Sequence, residues 1–242
     1  MKIKKIEEKE TITKFTIKGT NVQFVNAIRR AIMNSVPVLA ISSITIYDNT
    51  SIFFDELMAS RLGLLPLKTN KTYKIGDKVT LSLEAEGPGD VFSGEINCHD
   101  PSVEVFQKEI PLFKLSEGQK IKVEMHAEVK TGKTHSKWQA GIAAYSQIPI
   151  INAKATDLNK IKEKTPNAVI ELKNGTALID PYECSAHAIA EKTNGKLTYD
   201  ETQFLFYIET HGSTNNREIL ERATLALEDK CKEFKEALKK AK

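Results

Sequence analysis

The side chains that could do chemistry in this chain are few and scattered. Three cysteines, Cys98, Cys184 and Cys231, stand far apart, an odd number that reads as reduced thiols of a cytoplasmic protein and not as a disulfide framework. Cys98 and His99 are neighbours, which is poor geometry for sharing one metal. Cys184 and His187 could hold zinc only with further ligands from a second chain. Asp55 and Glu56 sit where a helix begins, so their charge suits the helix start better than an acid–base pair. No G-x-S-x-G, Walker or Rossmann glycine pattern and no H-E-x-x-H occurs. Lys130-Thr131-Gly132-Lys133 lacks the strand-and-helix context of a phosphate loop. What is left is arginine: Arg29 beside Arg30, and Arg61, cations suited to a carboxylate or to another subunit.

Arg29 and Arg30 belong to the clearest element of the chain. Asn21 is a suitable N-cap, and Val25, Ile28, Ile32 and Val36, with Phe24, Ala27 and Ala31 beside them, recur at helical spacing until Pro37 stops the run. Adjacent residues of a helix point about 100° apart, so the two arginines diverge. Arg61 lies on a short second helix. Asp55 is expected to cap it, Gly63 to end it in a left-handed turn, and its leucines to face the core, leaving Arg61 as the outward contact.

Around these helices the period falls to two. Residues 2–18 read as two strands about Glu8-Lys9-Glu10, residues 39–47 as a third, and residues 79–145 as an all-β segment, with Trp138 and Tyr145 expected in its core and an interface anchor as the alternative. Residues 203–209 return to a strand. The closing helix, 216–241, then carries Leu220, Thr224, Leu227, Cys231, Phe234, Leu238 and Ala241 at steps of four and three, a narrow seam of the kind that packs lengthwise on another helix. It would be about 39 Å long against about 24 Å for the Asn21 helix. The surplus seam needs a second surface, and a second chain supplies one.

Composition narrows the class. A net charge of +3 with Lys and Glu interspersed gives no clustered basic footprint for nucleic acid. No apolar run approaches the roughly 20 residues of a membrane span, and the charged start is no signal peptide.

Asn26-Ala27-Ile28-Arg29-Arg30-Ala31-Ile32, a strand ending near Tyr47, and Arg61-Leu62-Gly63-Leu64-Leu65-Pro66-Leu67 together resemble the assembly subunit of cellular RNA polymerases. The likeness is nearest to the archaeal, D-type form of that family, a relative of the bacterial alpha subunit, and covers most of the chain. Residues 155–195 resemble the ferredoxin module that some of these archaeal proteins carry. The bacterial cluster-binding run is C-x2-C-x2-C-x3-C-P. Its ligand places fall here on Ala155, Leu158, Ile161 and Thr165, and on Cys184, His187, Ala190 and Asn194. One thiol and one imidazole cannot complete a four-thiolate cage. No iron–sulfur cluster is therefore expected, with Leu158 and Ile161 filling its space.

The resemblance implies an α+β fold: a discontinuous α/β dimerisation domain (1–45 and 200–242), an inserted mostly-β domain (46–154), and a ferredoxin-like insertion lacking cluster ligands (155–199). It implies a non-catalytic scaffold of DNA-directed RNA polymerase that pairs with the small subunit L and recruits the two large subunits, joined by small subunits N and P. Phe24, Ile28, Ile32, Leu220, Leu227, Phe234 and Leu238 would meet subunit L. Arg29, Arg30 and Arg61 would meet the large subunits. No catalytic or metal residue, DNA contact or membrane contact is expected. Two other readings are an electron carrier or redox sensor built on the ferredoxin-like segment, and a free-standing homodimeric binding module.

Overall fold

The computed structural model describes residues 1–68 and 72–241. Strands β1 (Lys2–Glu8) and β2 (Ile12–Lys18) form a hairpin, followed by helix α1 (Val22–Ser35), strand β3 (Pro37–Asn49) and helix α2 (Asp55–Gly63). The next eight strands are β4 (Leu67–Lys68), β5 (Lys78–Glu86), β6 (Gly89–Phe92), β7 (Asn97–Cys98), β8 (Glu104–Val105), β9 (Pro111–Leu115), β10 (Lys120–Thr131) and β11 (Gly141–Asn152). Helix α3 (Ala155–Lys164), strands β12 (Val169–Lys173) and β13 (Thr176–Ile179), helix α4 (Ala186–Lys192), strand β14 (Lys196–Thr210) and helix α5 (Asn216–Lys240) complete the chain. It is a mixed α/β protein whose contacts divide it into two compact units, 1–29 with 143–208 and 30–142 with 209–242.

The first unit is organised by a six-stranded sheet in the order β1-β2-β14-β11-β13-β12. Alternation along β11 and β13 turns Ile151, Ala177 and Ile179 to one face, where they pack with Leu158 of α3 and with Ile189 and Ala190 of α4. Phe15 of β2 stacks on Phe206 of β14 with ring centroids 5.2 Å apart. Lys14, beside Phe15, is buried too. Its Nζ lies 3.2 Å from Asp180, 3.3 Å from Glu7 and 2.5 Å from Glu183. Burial alone would lower Lys14, but the Glu183 hydrogen bond and the Asp180 charge outweigh it and hold the ammonium above its ordinary range.

The second unit holds the four-stranded antiparallel sheet β3-β10-β5-β7 and the two-stranded ribbons β4-β8 and β6-β9. Strand β10 sets the pattern. Ile121, Val123, Met125, Ala127 and Val129 alternate inward and are fully covered, with Leu81 and Leu83 of β5 opposite Met125 and Val123. Trp138 is core, as expected, and its indole N–H donates to the Glu128 carbonyl at 2.8 Å.

Helix α2 differs from expectation at both ends. Its N-cap is Phe54, which offers no side-chain acceptor, and Asp55 instead accepts a hydrogen bond from the Asn49 amide at 2.8 Å. Gly63 is the last helical residue, and the cap is Leu64 in right-handed conformation. Its N–H is satisfied by the Arg61 and Leu62 carbonyls, so no left-handed residue is needed. Helix α5 is entered through Gly212 at φ +100°, where a Cβ would strike the Phe106 ring, so the turn requires glycine. Asn215 then caps it by accepting the Glu218 N–H at 2.9 Å.

Candidate partner-binding surfaces

On α1 the N-cap is the expected one: Asn21 Oδ1 accepts the Phe24 N–H at 2.9 Å. Val25, Ile28, Ala31 and Ile32 are buried within the chain, whereas Phe24 is 41% exposed. The two arginines diverge as helix geometry requires. Arg29 is half-buried, its Nε donating to Asn26 Oδ1 at 3.1 Å, while Arg30 is exposed.

Helix α2 has two unlike faces. Met58 and Leu62 are fully buried. Phe54, Leu57, Arg61 and Leu64 recur at steps of three, four and three and so share the other face. The three apolar members are 77%, 44% and 66% exposed, and Ile52 beside them is exposed as well. Placing the leucines of this helix in the core is therefore right for Leu62 and wrong for Leu57. The spacing of Phe54 and Leu64 about Arg61 was the available signal. Arg61 itself is exposed and donates Nη2 to the Pro111 carbonyl at 3.1 Å, which holds the guanidinium amid this apolar face.

Helix α5 changes character along its length. Ile219 and Ala223 are fully buried, Leu220 and Leu227 are half-buried, and every residue from 228 to 241 is exposed, Phe234 at 67% and Leu238 at 57%. Arg222 anchors the covered end, pairing with Glu218 at 2.5 Å and donating to the Pro37 carbonyl at 3.3 Å.

The eight cluster-ligand places do not converge on a cage. Leu158 and Ala190 are in the small core of the first unit, and Ile161 and Cys184 pack against it. Ala155, Thr165, His187 and Asn194 are exposed. Burial, then the Asp180 and Glu183 charges, push the Cys184 thiol up, which disfavours the thiolate form that a metal needs. Among the described residues no group of three or more His, Cys, Asp or Glu is placed to hold a metal ion. These side chains do not fit an iron–sulfur cluster, which needs converging thiolates.

Residues 46–150 match the family model of the RNA polymerase Rpb3/RpoA insert domain. Over nearly its whole length the chain is similar to DNA-directed RNA polymerase subunit Rpo3 of several archaea. It is 34% identical to that of Pyrococcus furiosus (97% of this chain, 96% of the relative). It is 31% identical to that of Methanosarcina acetivorans (97% of each) and 30% identical to that of Halobacterium salinarum (96% and 95%). A helix with divergent arginines, a β-rich insert and a long closing helix thus lie in a chain that these relatives match over nearly its whole length, and the chain belongs to the family of archaeal RNA polymerase subunit Rpo3.

Proposed function

We propose that this chain is the assembly scaffold of an archaeal DNA-directed RNA polymerase, present in the cytoplasm, carrying no catalytic residue of its own within a nucleotidyltransferase complex. The observation that carries this reading is the uncovered second half of α5, where Phe234 and Leu238 continue the apolar seam into solvent. Water-exposed apolar residues repeating along a helix mark a surface meant for another chain. Subunit L is the partner proposed for it, with Leu220 and Leu227 at the near end and Phe24 of α1 as a separate exposed contact. Ile28 and Ile32 are already buried, so their part would be to hold α1 itself in place.

The large subunits are proposed to meet Arg30, the more exposed of the adjacent pair, and the apolar face of α2 around Arg61, with subunits N and P completing the assembly. In this reading 1–45 with 200–242 form the dimerisation domain and 46–154 the insert, a division supported by the family match over 46–150. Residues 155–199 are the ferredoxin-like remnant. Hydrocarbon in the Leu158 and Ala190 places supports a module that stands without a cluster.

The test is the double substitution Phe234→Asp with Leu238→Asp. Both side chains are exposed, so the lone chain should melt unchanged, while co-purification with subunit L should be lost. Undiminished co-elution would overturn the assignment.

A further inference from the structure

The six-stranded sheet of the first unit turns Ile151, Ala177 and Ile179 to its helix-covered face. Their neighbours Ile150, Thr176 and Leu178 therefore line the opposite face, where a concavity of about 560 Å3 runs across the strands. Ile150 and Leu178 are half-buried and form an apolar floor. Lys2, Lys4, Lys18 and Lys173 surround it, with Glu171 and Asp200 as the carboxylates on this face.

The lysines are placed in a way that folding alone does not favour. Register sets Lys2 directly opposite Lys18 across the β1–β2 pair, and like charges so placed are destabilising. Among the described residues neither is in a salt bridge, and Lys18 acts only at longer range on Asp200, whose carboxyl is held below its ordinary range first by hydrogen bonds from Thr202 and then by the Lys18 charge. Lys4 reaches Glu171 at 3.5 Å and Lys173 contacts the same carboxylate, so one anion serves two cations. Lysines on edge strands guard against sheet-to-sheet aggregation, which accounts for those on β1 and β12. It does not account for Lys18, because β2 lies inside the sheet between β1 and β14.

We propose that this face docks an acidic, apolar-faced segment of another polypeptide, its aliphatic side chains on Ile150 and Leu178 and its carboxylates on the surrounding lysines. A nucleic-acid backbone fits less well. It would bring a row of phosphates against Glu171 and Asp200 and leave the apolar floor without a partner. A peptide satisfies both features, since apolar contact supplies affinity and charge complementarity supplies register.

The place to seek the segment rests on the assembly reading, so the experiment uses the polymerase. Lysine acetylation is compared between the lone chain and polymerase assembled with it, followed by zero-length carbodiimide coupling. Labelling of Lys18 and Lys173 should fall several-fold in the polymerase while Lys160, on the outside of α3, labels equally in both. Carbodiimide should join Lys18 or Lys4 to an aspartate or glutamate of a second chain. Lys4→Gln with Lys18→Gln should restore fast labelling of Lys173, whereas Lys4→Arg with Lys18→Arg should keep it protected. Equal labelling in a polymerase that contains the chain overturns this inference and leaves the scaffold reading standing. Protection accompanied by coupling to nucleic acid overturns the choice of an acidic peptide. A chain that never enters the polymerase overturns both.

Discussion

Residues 216–227 and 228–240 belong to one helix, α5, yet only the first set meets its own chain, through a face one position off the seam of Leu220, Thr224 and Leu227. In the first, Ile219 and Ala223 are fully buried and Arg222 is tied to Glu218 and to the Pro37 carbonyl. In the second, Phe234 and Leu238 stand in water, and order is left to one exposed hydrogen bond from Lys230 Nζ to Ser35 Oγ at 3.3 Å, to local pairs such as Lys232 with Glu228 at 2.8 Å and to Lys239 and Lys240 in the last turn. A helix of about 13 residues has little stability of its own without an apolar face covered. Periodicity thus decides which residues share a face, and burial decides whether that face belongs to the fold or to an interface. Each side chain covered on assembly would contribute roughly 1.5–3 kcal/mol.

The largest test of covered against bare concerns cations. Lys14 is closed in by Asp180, Glu183 and Glu7, whereas Lys232 lies open on α5. Lys14→Ala strands the buried Asp180 carboxylate and should cost about 3–5 kcal/mol in denaturant unfolding; Lys232→Ala should leave the midpoint in place. An equal response from both would show that the Lys14 cluster is solvated. Glu7 adds a pH signature. A hydrogen bond from Lys9, then one from Lys14 with its charge, holds the Glu7 carboxyl below its ordinary range. A depressed carboxylate stabilises above its unfolded pKa and loses that contribution as pH falls through the folded one. The Lys14→Ala variant should therefore show a shallower acid limb below about pH 5 than the parent chain.

Next in size is Ile219→Ala, which opens a cavity in the covered half of α5 and should cost about 3 kcal/mol by thermal or denaturant unfolding. A loss below about 1 kcal/mol would mean that this half is held by its cap and ion pair instead of by packing. The adjacent arginines repeat the contrast on a smaller scale. Arg29→Ala removes the bond to Asn26 and should cost the lone chain about 1 kcal/mol. Arg30→Ala should leave the lone chain alone and lower the yield of complete polymerase, and full yield would remove the large-subunit contact from Arg30.

Much of this was legible in the sequence because the signals are local. Asn21 caps its helix by its own side chain, Pro37 ends α1, and alternation along β10 marks a strand covered on one face. What was not legible depends on distance. Lys14 reads as the polar half of an alternating strand, and nothing near it in sequence announces Asp180 and Glu183, more than 160 residues away. Leu57 looks like a core leucine because composition cannot tell an inner helix face from an outer one. The Asp55 cap failed for a nearer reason: Asn49 on the preceding strand takes its carboxylate.

The smallest expected effect is the most discriminating. Phe234→Ala removes a large aromatic from a helix in which, by pattern alone, it is equivalent to Leu220, two heptads earlier. If residues 228–240 were merely a continuation of the chain's own core, the cost would approach the 3–5 kcal/mol typical of a buried phenylalanine. At 67% exposure it should instead fall within about 0.5 kcal/mol in the isolated chain, and alanine's higher helix propensity could make the sign favourable. The same substitution, measured as the concentration at which the pair with subunit L dissociates, should weaken binding by roughly 1.5–3 kcal/mol, or about one to two powers of ten. A lone-chain loss as large as the binding loss would place Phe234 inside the fold and erase the distinction between the two halves of α5.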